Sequence, residues 1–139
     1  MSDPEGLLDT SALLAIRRLP DASSLPDVVL ISAVTLAELS VGPLVAADEA
    51  ERARRLAQVQ QAEADFDPIP FDAAAARAFG LVASSYRRSG RKPAARSFDA
   101  MIAATAIANG LPLYTANPAD FAGIDGLVVR AVPAAAPEA

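Results

Sequence analysis

Four carboxylates stand in apolar stretches, where a charge is costly unless something compensates it. Asp9 ends the run Gly6-Leu7-Leu8, and Glu38 is embedded in Ile31-Ser32-Ala33-Val34-Thr35-Leu36-Ala37-Glu38-Leu39. Asp99 opens the most apolar segment of the chain, and Asp120 sits between Ala119 and Phe121. The other members of the 17 acidic residues lie where a solvated charge is expected. Several carboxylates brought together raise one another's pKa, an arrangement that a divalent cation among them makes tolerable. The chain contains no His and no Cys, which excludes Ser–His–Asp triads, thiol nucleophiles and zinc–thiolate sites. Any side-chain metal ligands must then be oxygens, the donors preferred by Mg²⁺ or Mn²⁺.

Each acid also has a purely structural reading. Asp9 or Thr10 fits a helix N-cap, while Thr35-x-x-Glu38 and Asn117-Pro118-x-Asp120 fit capping boxes. Asp99 fits the positive end of a helix dipole with Ser97 as cap. Taken together, at expected strand ends, the four favour a site over four separate caps.

The elements that must position them follow from periodicity and punctuation. Gly6 to Asp9 reads as a short strand entering a helix at Thr10-Ser11, and Val28-Val29-Leu30-Ile31 as a buried strand. Ser32 opens a helix stopped by Gly42-Pro43, and residues 48–64 form a solvent-facing amphipathic helix. Residues 66–71 read as a short strand interrupted by Pro68 and Pro70, suited to an edge. Asp72 caps an alanine-rich helix ended by Gly90, and a buried helix runs from Ser97 to Asn109-Gly110. Leu113-Tyr114-Thr115 is a strand, Asn117 to Asp120 a helical turn, and Leu127 to Val132 the last strand. Strands alternating with helices predict one α/β domain over residues 1–132, with a mainly parallel central sheet flanked by helices. An Ala/Pro-rich tail at 133–139 reads as disordered.

The formal net charge of −5 is unevenly distributed. No acid lies between Asp72 and Asp99, whereas Arg77, Arg87, Arg88, Arg91, Lys92 and Arg96 all fall there. Arg87, Arg88, Arg91, Lys92 and Arg96 are candidates to hold nucleic-acid phosphates beside the acids, and a solvated helix end explains the same run structurally. Arg52, Arg54 and Arg55 alternate with Glu49 and Glu51 and read as helix-surface pairs. Leu36, Leu39, Val41 and Leu44 fit either the core or a groove for a partner segment. There is no apolar run of transmembrane length and no signal-like N-terminus, so a cytoplasmic location is expected.

The blocks Leu8-Asp9-Thr10-Ser11-Ala12-Leu13, Ser32 to Leu39, Phe98 to Ala106 and Thr115 to Phe121 resemble, in order, the four motif blocks of PIN-domain ribonuclease toxins. These are the VapC toxins of type II toxin–antitoxin pairs, and the resemblance runs from about Leu7 to Val132. It implies a Rossmann-like PIN fold and a Mg²⁺- or Mn²⁺-dependent endoribonuclease that inhibits translation. It also implies a homodimer neutralised by a cognate VapB-like antitoxin. By the motif match Asp9 and Asp99 are the metal ligands, and Glu38 and Asp120 complete the catalytic cluster. Thr10 or Ser11 matches the hydroxyl that follows the first aspartate, and Asn117 the asparagine that supports the last block. Pro118 and Ala119 stand where some relatives carry a further acid, which puts a second metal position in doubt.

Other chemistries fit less well. A haloacid-dehalogenase-type phosphatase calls for Asp-x-Asp where this chain has Asp9-Thr10-Ser11, and a receiver domain calls for paired acids at the first strand. A catalytically inactive PIN-fold module that binds RNA or protein is the remaining alternative, which metal titration distinguishes.

Overall fold

A computed structural model describes residues 2–19 and 22–134, the side chains of Pro93 and Ala95 excepted. Four strands, β1 (Glu5–Leu8), β2 (Val28–Leu30), β3 (Leu113–Thr115) and β4 (Val129–Ala131), form one sheet in the order β2-β1-β3-β4. Every pairing is parallel. The helices are α1 (Thr10–Ala15), α2 (Ala33–Val41), α3 (Glu49–Asp65), α4 (Ala73–Arg88) and α5 (Ser97–Ala108). The expected α/β domain with a parallel sheet is the architecture observed. The part of the expected tail beyond Ala134 lies outside the described residues.

Strand alternation sorts the core into two layers. Leu7 and Leu113 face one side of the sheet with Val82, Tyr86 and the apolar face of α5. Leu8 and Tyr114 face the other with Ala12, Leu13, Leu39, Val59 and Ala62. Helix α5 is buried at Ala100 and from Ile102 to Ala106, which its lack of a polar face predicts. In α3 only Val59 and Ala62 are buried, as its charged composition predicts.

The segment 66–71 departs from expectation. Instead of a strand it makes a single parallel bridge, Ser32 to Ile69. The Ile69 N–H donates to the Ile31 carbonyl at 2.9 Å, and the Ala33 N–H to the Ile69 carbonyl at 2.8 Å. Pro68 and Pro70 on either side have no N–H to extend the ladder. Among the described residues no helix is long and apolar enough to cross a membrane.

The chain passes from β1 outward to β2, then returns to place β3 on the opposite side of β1. The carboxyl ends of β1 and β3 therefore flank the point where strand order reverses, the crevice at which open α/β sheets bind ligands. Close approach at the other end of this strand pair requires Gly6. A Cβ there would lie 2.5 Å from the Tyr114 ring and 2.9 Å from Pro26. The ring cannot easily yield, because its hydroxyl donates to Asp3 at 2.5 Å. Gly6→Ala is expected to destabilise the fold by about 1–3 kcal/mol in urea unfolding, whereas wild-type stability would show that the ring moves freely.

Candidate active site

Asp9 follows β1 directly and is 4% exposed. Its backbone N–H donates to the Tyr114 carbonyl, so the residue is held at the reversal point of the sheet. The side chain is the N-cap of α1: Oδ1 accepts from the Ala12 N–H at 2.8 Å and from the Ser11 hydroxyl at 2.7 Å. Oδ2 accepts from the Thr115 hydroxyl at 2.6 Å. Burial nonetheless outweighs these three donors and holds the Asp9 carboxyl above the usual carboxylate range. The capping role and a place at the sheet edge are thus both realised in one residue.

The capping boxes expected at Glu38 and Asp120 do not form, whereas Asp99 does lie in the first turn of α5, at the positive end of its dipole. The N-cap of α2 is Ser32, whose Oγ accepts from the Thr35 N–H, which leaves Glu38 in the second turn. Glu38 accepts instead from the Thr10 hydroxyl at 2.7 Å. Helix α5 begins at Ser97 itself, with no side-chain cap, and the Ser97 hydroxyl donates to the Ala94 carbonyl. Asn117 precedes the 3₁₀ turn Pro118–Phe121 without a side-chain capping bond. Its backbone does the supporting, with the N–H donating to Thr115 Oγ1 and the carbonyl accepting from the Asp120 N–H.

Asp99 is the group on which the four charges converge. It has no hydrogen-bond donor among the described residues, and its carboxyl is pushed up to about 6. Desolvation is the first cause, followed by the negative charges of Asp120, Asp9 and Glu38, with Arg96 opposing them. An open hollow beside it is bounded by Glu38, Arg96, Ser97, Phe98 and Asp99. The structure thus brings all four sequence-predicted acids into one electrostatic neighbourhood. Among the described residues, however, no three of them close into a ready-made cation cage. Mg²⁺ commonly takes only one or two carboxylates and keeps several waters, so an open oxygen-only donor set fits it.

The basic stretch divides by partner. Arg96 donates to the Asp120 carboxylate at 2.9 Å, and Arg88 to Asp125 at 2.6 Å. Arg91 donates to two backbone carbonyls, those of Asp120 at 2.7 Å and Ala122 at 2.6 Å. Arg87 and Lys92 are exposed and hold no ion pair among the described residues. Two residues of the site escaped the sequence. Thr115 reads as an ordinary strand residue yet is fully buried against Asp9. Tyr86, fully buried in α4, donates its hydroxyl to the Asp120 carbonyl at 3.1 Å. Burial first and Asp99 second hold its phenol at about 12, so it remains a donor throughout the working range.

A model of the PIN domain matches residues 6–127. Ribonuclease VapC5 of Mycobacterium tuberculosis is 42% identical over 123 residues, covering 87% of this chain and 88% of that protein. Ribonuclease VapC8 of the same species is 36% identical over 101 residues, 73% of this chain and 89% of that protein. Among solved structures, VapBC-5 of Mycobacterium tuberculosis, a member of a family of toxin–antitoxin systems, aligns with a TM-score of 0.76 at 39% identity. That match covers 94% of this chain and 98% of that one. DNA-bound VapBC from Salmonella typhimurium aligns with a TM-score of 0.71 at 26% identity, again over 94% and 98% of the two chains.

A carboxyl whose folded pKa lies above its unfolded value loses stability as pH rises between the two. For Asp99 that window runs from 3.8 to about 6. Asp99→Asn should therefore stabilise the metal-free protein at pH 7.5 by about 1–2 kcal/mol, or roughly 3–6 °C in Tm, the partly exposed position discounting the full shift. The advantage should vanish near pH 4. A variant no more stable than wild type at pH 7.5 would show that neither burial nor the neighbouring acids penalise the Asp99 carboxylate.

Proposed function

This chain belongs to the PIN-domain family, and on that premise we propose that it is the endoribonuclease toxin of a type II toxin–antitoxin pair, with Asp9, Glu38, Asp99 and Asp120 as its catalytic cluster. The observation that carries the site is a buried Asp9 at the reversal point of a parallel sheet, together with Glu38 and Asp99 lining one hollow whose Arg96 holds Asp120. A divalent cation, Mg²⁺ or Mn²⁺, held by Asp9 and Asp99 would supply charge neutralisation for the scissile phosphate and a water of lowered pKa.

The protein's own groups orient and neutralise. Ser11, Thr115 and the Ala12 N–H leave the Asp9 carboxylate a single orientation. Thr10 steadies Glu38, and Arg96 steadies Asp120. In a protein without histidine, Glu38 and Asp120 are the acceptors for the proton of the attacking water. Arg87 and Lys92, exposed at either end of the turn that leads to Asp99, meet RNA phosphates first. Arg88, 62% exposed in its pair with Asp125, can exchange that partner for a phosphate at little cost.

The relatives are ribonucleases and the matched structures are toxin–antitoxin complexes, which supports a VapB-like antitoxin as partner. For its contact we favour the groove between α1, α2 and α3, lined by Leu13, Leu14, Leu39, Ala62 and Phe66 with Arg17 and Arg18 at its rim. Of Leu36, Leu39, Val41 and Leu44, Leu39 is buried in the core and Leu36 packs against it partly buried, while Val41 and Leu44 are exposed, as are Val45 and Leu56. Homodimerisation and a cytoplasmic location complete the proposal.

Asp9→Asn, whose amide oxygen still accepts from Ala12 and Ser11, should keep the wild-type fold by circular dichroism and lose RNA cleavage by about 100-fold or more, the scale of several kcal/mol of lost charge stabilisation. Cleavage at the wild-type rate would exclude Asp9 from the chemistry. For RNA contact, Arg87→Ala with Lys92→Ala should reduce the slope of log affinity against log salt by about 1.4, near 0.7 per phosphate on a single strand. An unchanged slope would remove both cations from the interface.

A further inference from the structure

Asp120 is placed from outside its own turn, by the connection between α4 and α5. The 3₁₀ turn that carries it has four residues, Pro118–Phe121, and no side-chain cap at its start. So short a turn, followed by Gly123 at a φ of 78°, leaves its last carbonyls in need of donors. Arg91 supplies them: one guanidinium nitrogen donates to the Asp120 carbonyl at 2.7 Å, the other to the Ala122 carbonyl at 2.6 Å. A planar fork can bridge two acceptors in this way, which a lysine ammonium does not reproduce. The same guanidinium lies 5.1 Å over the Tyr86 ring, and the Tyr86 hydroxyl is a second donor to the Asp120 carbonyl. Two of its five N–H groups are committed to these carbonyls and one face lies against the ring, so the fold itself fixes where the Arg91 guanidinium sits.

We propose that Arg91, seated on Tyr86, is a positioning residue that holds the Asp120 carboxylate in place for RNA cleavage and does not itself bind RNA. The inference rests on the ribonuclease reading of the acidic cluster. Clamping the backbone at 120 and 122 fixes where the side chain of Asp120 starts, and Arg96 then orients its carboxylate. A displacement of about 1 Å at such a group can cost 100-fold in rate without loss of substrate affinity.

The test is a double-mutant cycle on a labelled RNA that the wild-type protein cleaves. Arg91→Met should lower kcat by about 10- to 100-fold while KM and the salt slope of RNA affinity stay within about twofold, the pattern of an interaction realised only in the transition state. Arg91→Lys should recover only part of the loss. In an Asp120→Asn background Arg91→Met should cost nothing further, because the two act through one group. Tyr86→Phe, which removes only a hydroxyl, should lower kcat by about 3- to 10-fold and show the same coupling, so the cycle can still be read if Arg91→Met fails to fold. A raised KM and a shallower salt slope at unchanged kcat would make Arg91 an RNA contact and overturn the proposal. Additive losses with Asp120→Asn would overturn it as well. Wild-type cleavage by Asp120→Asn itself would instead remove Asp120 from the catalytic cluster, and a wild-type protein that cleaves no RNA would overturn the function.

Discussion

The fold is organised around one buried charge. Asp9 is almost wholly removed from water, yet no cation among the described residues is paired with it; three hydrogen-bond donors take the place of a counter-ion. A buried carboxylate costs several kcal/mol unless its lone pairs are satisfied, so each donor constrains the chain that carries it. The Ala12 N–H and the Ser11 hydroxyl fix the first turn of α1 against the end of β1, and the Thr115 hydroxyl fixes the end of β3. Three elements meet at one carboxylate. Thr115 in turn accepts from the Asn117 N–H, and Ser11 accepts from the Ala116 N–H, so the segment leading to Asp120 is set by the same contact.

Beside this hub Asp99 is placed against its own stability. Asp99 has no donor among the described residues and feels three negative charges, with Arg96 the opposing cation. A sequence selected for stability alone would not keep a partly buried carboxylate in that position, since an amide or an apolar residue would remove the repulsion. The price is the mark of a site that needs negative charge concentrated at one place, here the carboxyl edge of the sheet.

Much of this was legible in the sequence for identifiable reasons. The short strands declare themselves through continuous aliphatic runs, and α5 through the absence of any polar face. The four acids stand out because their neighbours are apolar. The strand expected at 66–71 failed because two prolines outweighed its apolar residues, leaving one bridge at Ile69. The roles of the arginines were hidden for a different reason. Arg91 and Arg96 find partners at 120 and 122, between 24 and 31 residues away, and two of the three acceptors are backbone carbonyls, which no side-chain pattern reveals. Thr115 was hidden in the same way: a β-branched residue in a strand is ordinary, and only its register with Asp9 makes it part of the site.

The two halves of the acidic cluster are held by different parts of the molecule. Asp9 and Glu38 are steadied by hydroxyls of the first turns of α1 and by the end of β3. Asp99 and Asp120 depend on the 86–96 connection, which ties down the Asp120 turn through Tyr86, Arg91 and Arg96 and then continues into the helix that carries Asp99. One segment therefore sets the separation of the second pair, and the packing of α4 on α5 sets that segment. A run of cations free of acids serves such a segment twice over. It supplies the guanidinium donors that a short turn needs, and it brings positive charge to an edge where phosphates would otherwise meet only carboxylates. The overall negative charge of the chain is thus compatible with the proposed RNA contact, because an approaching phosphate would meet the local field of this connection.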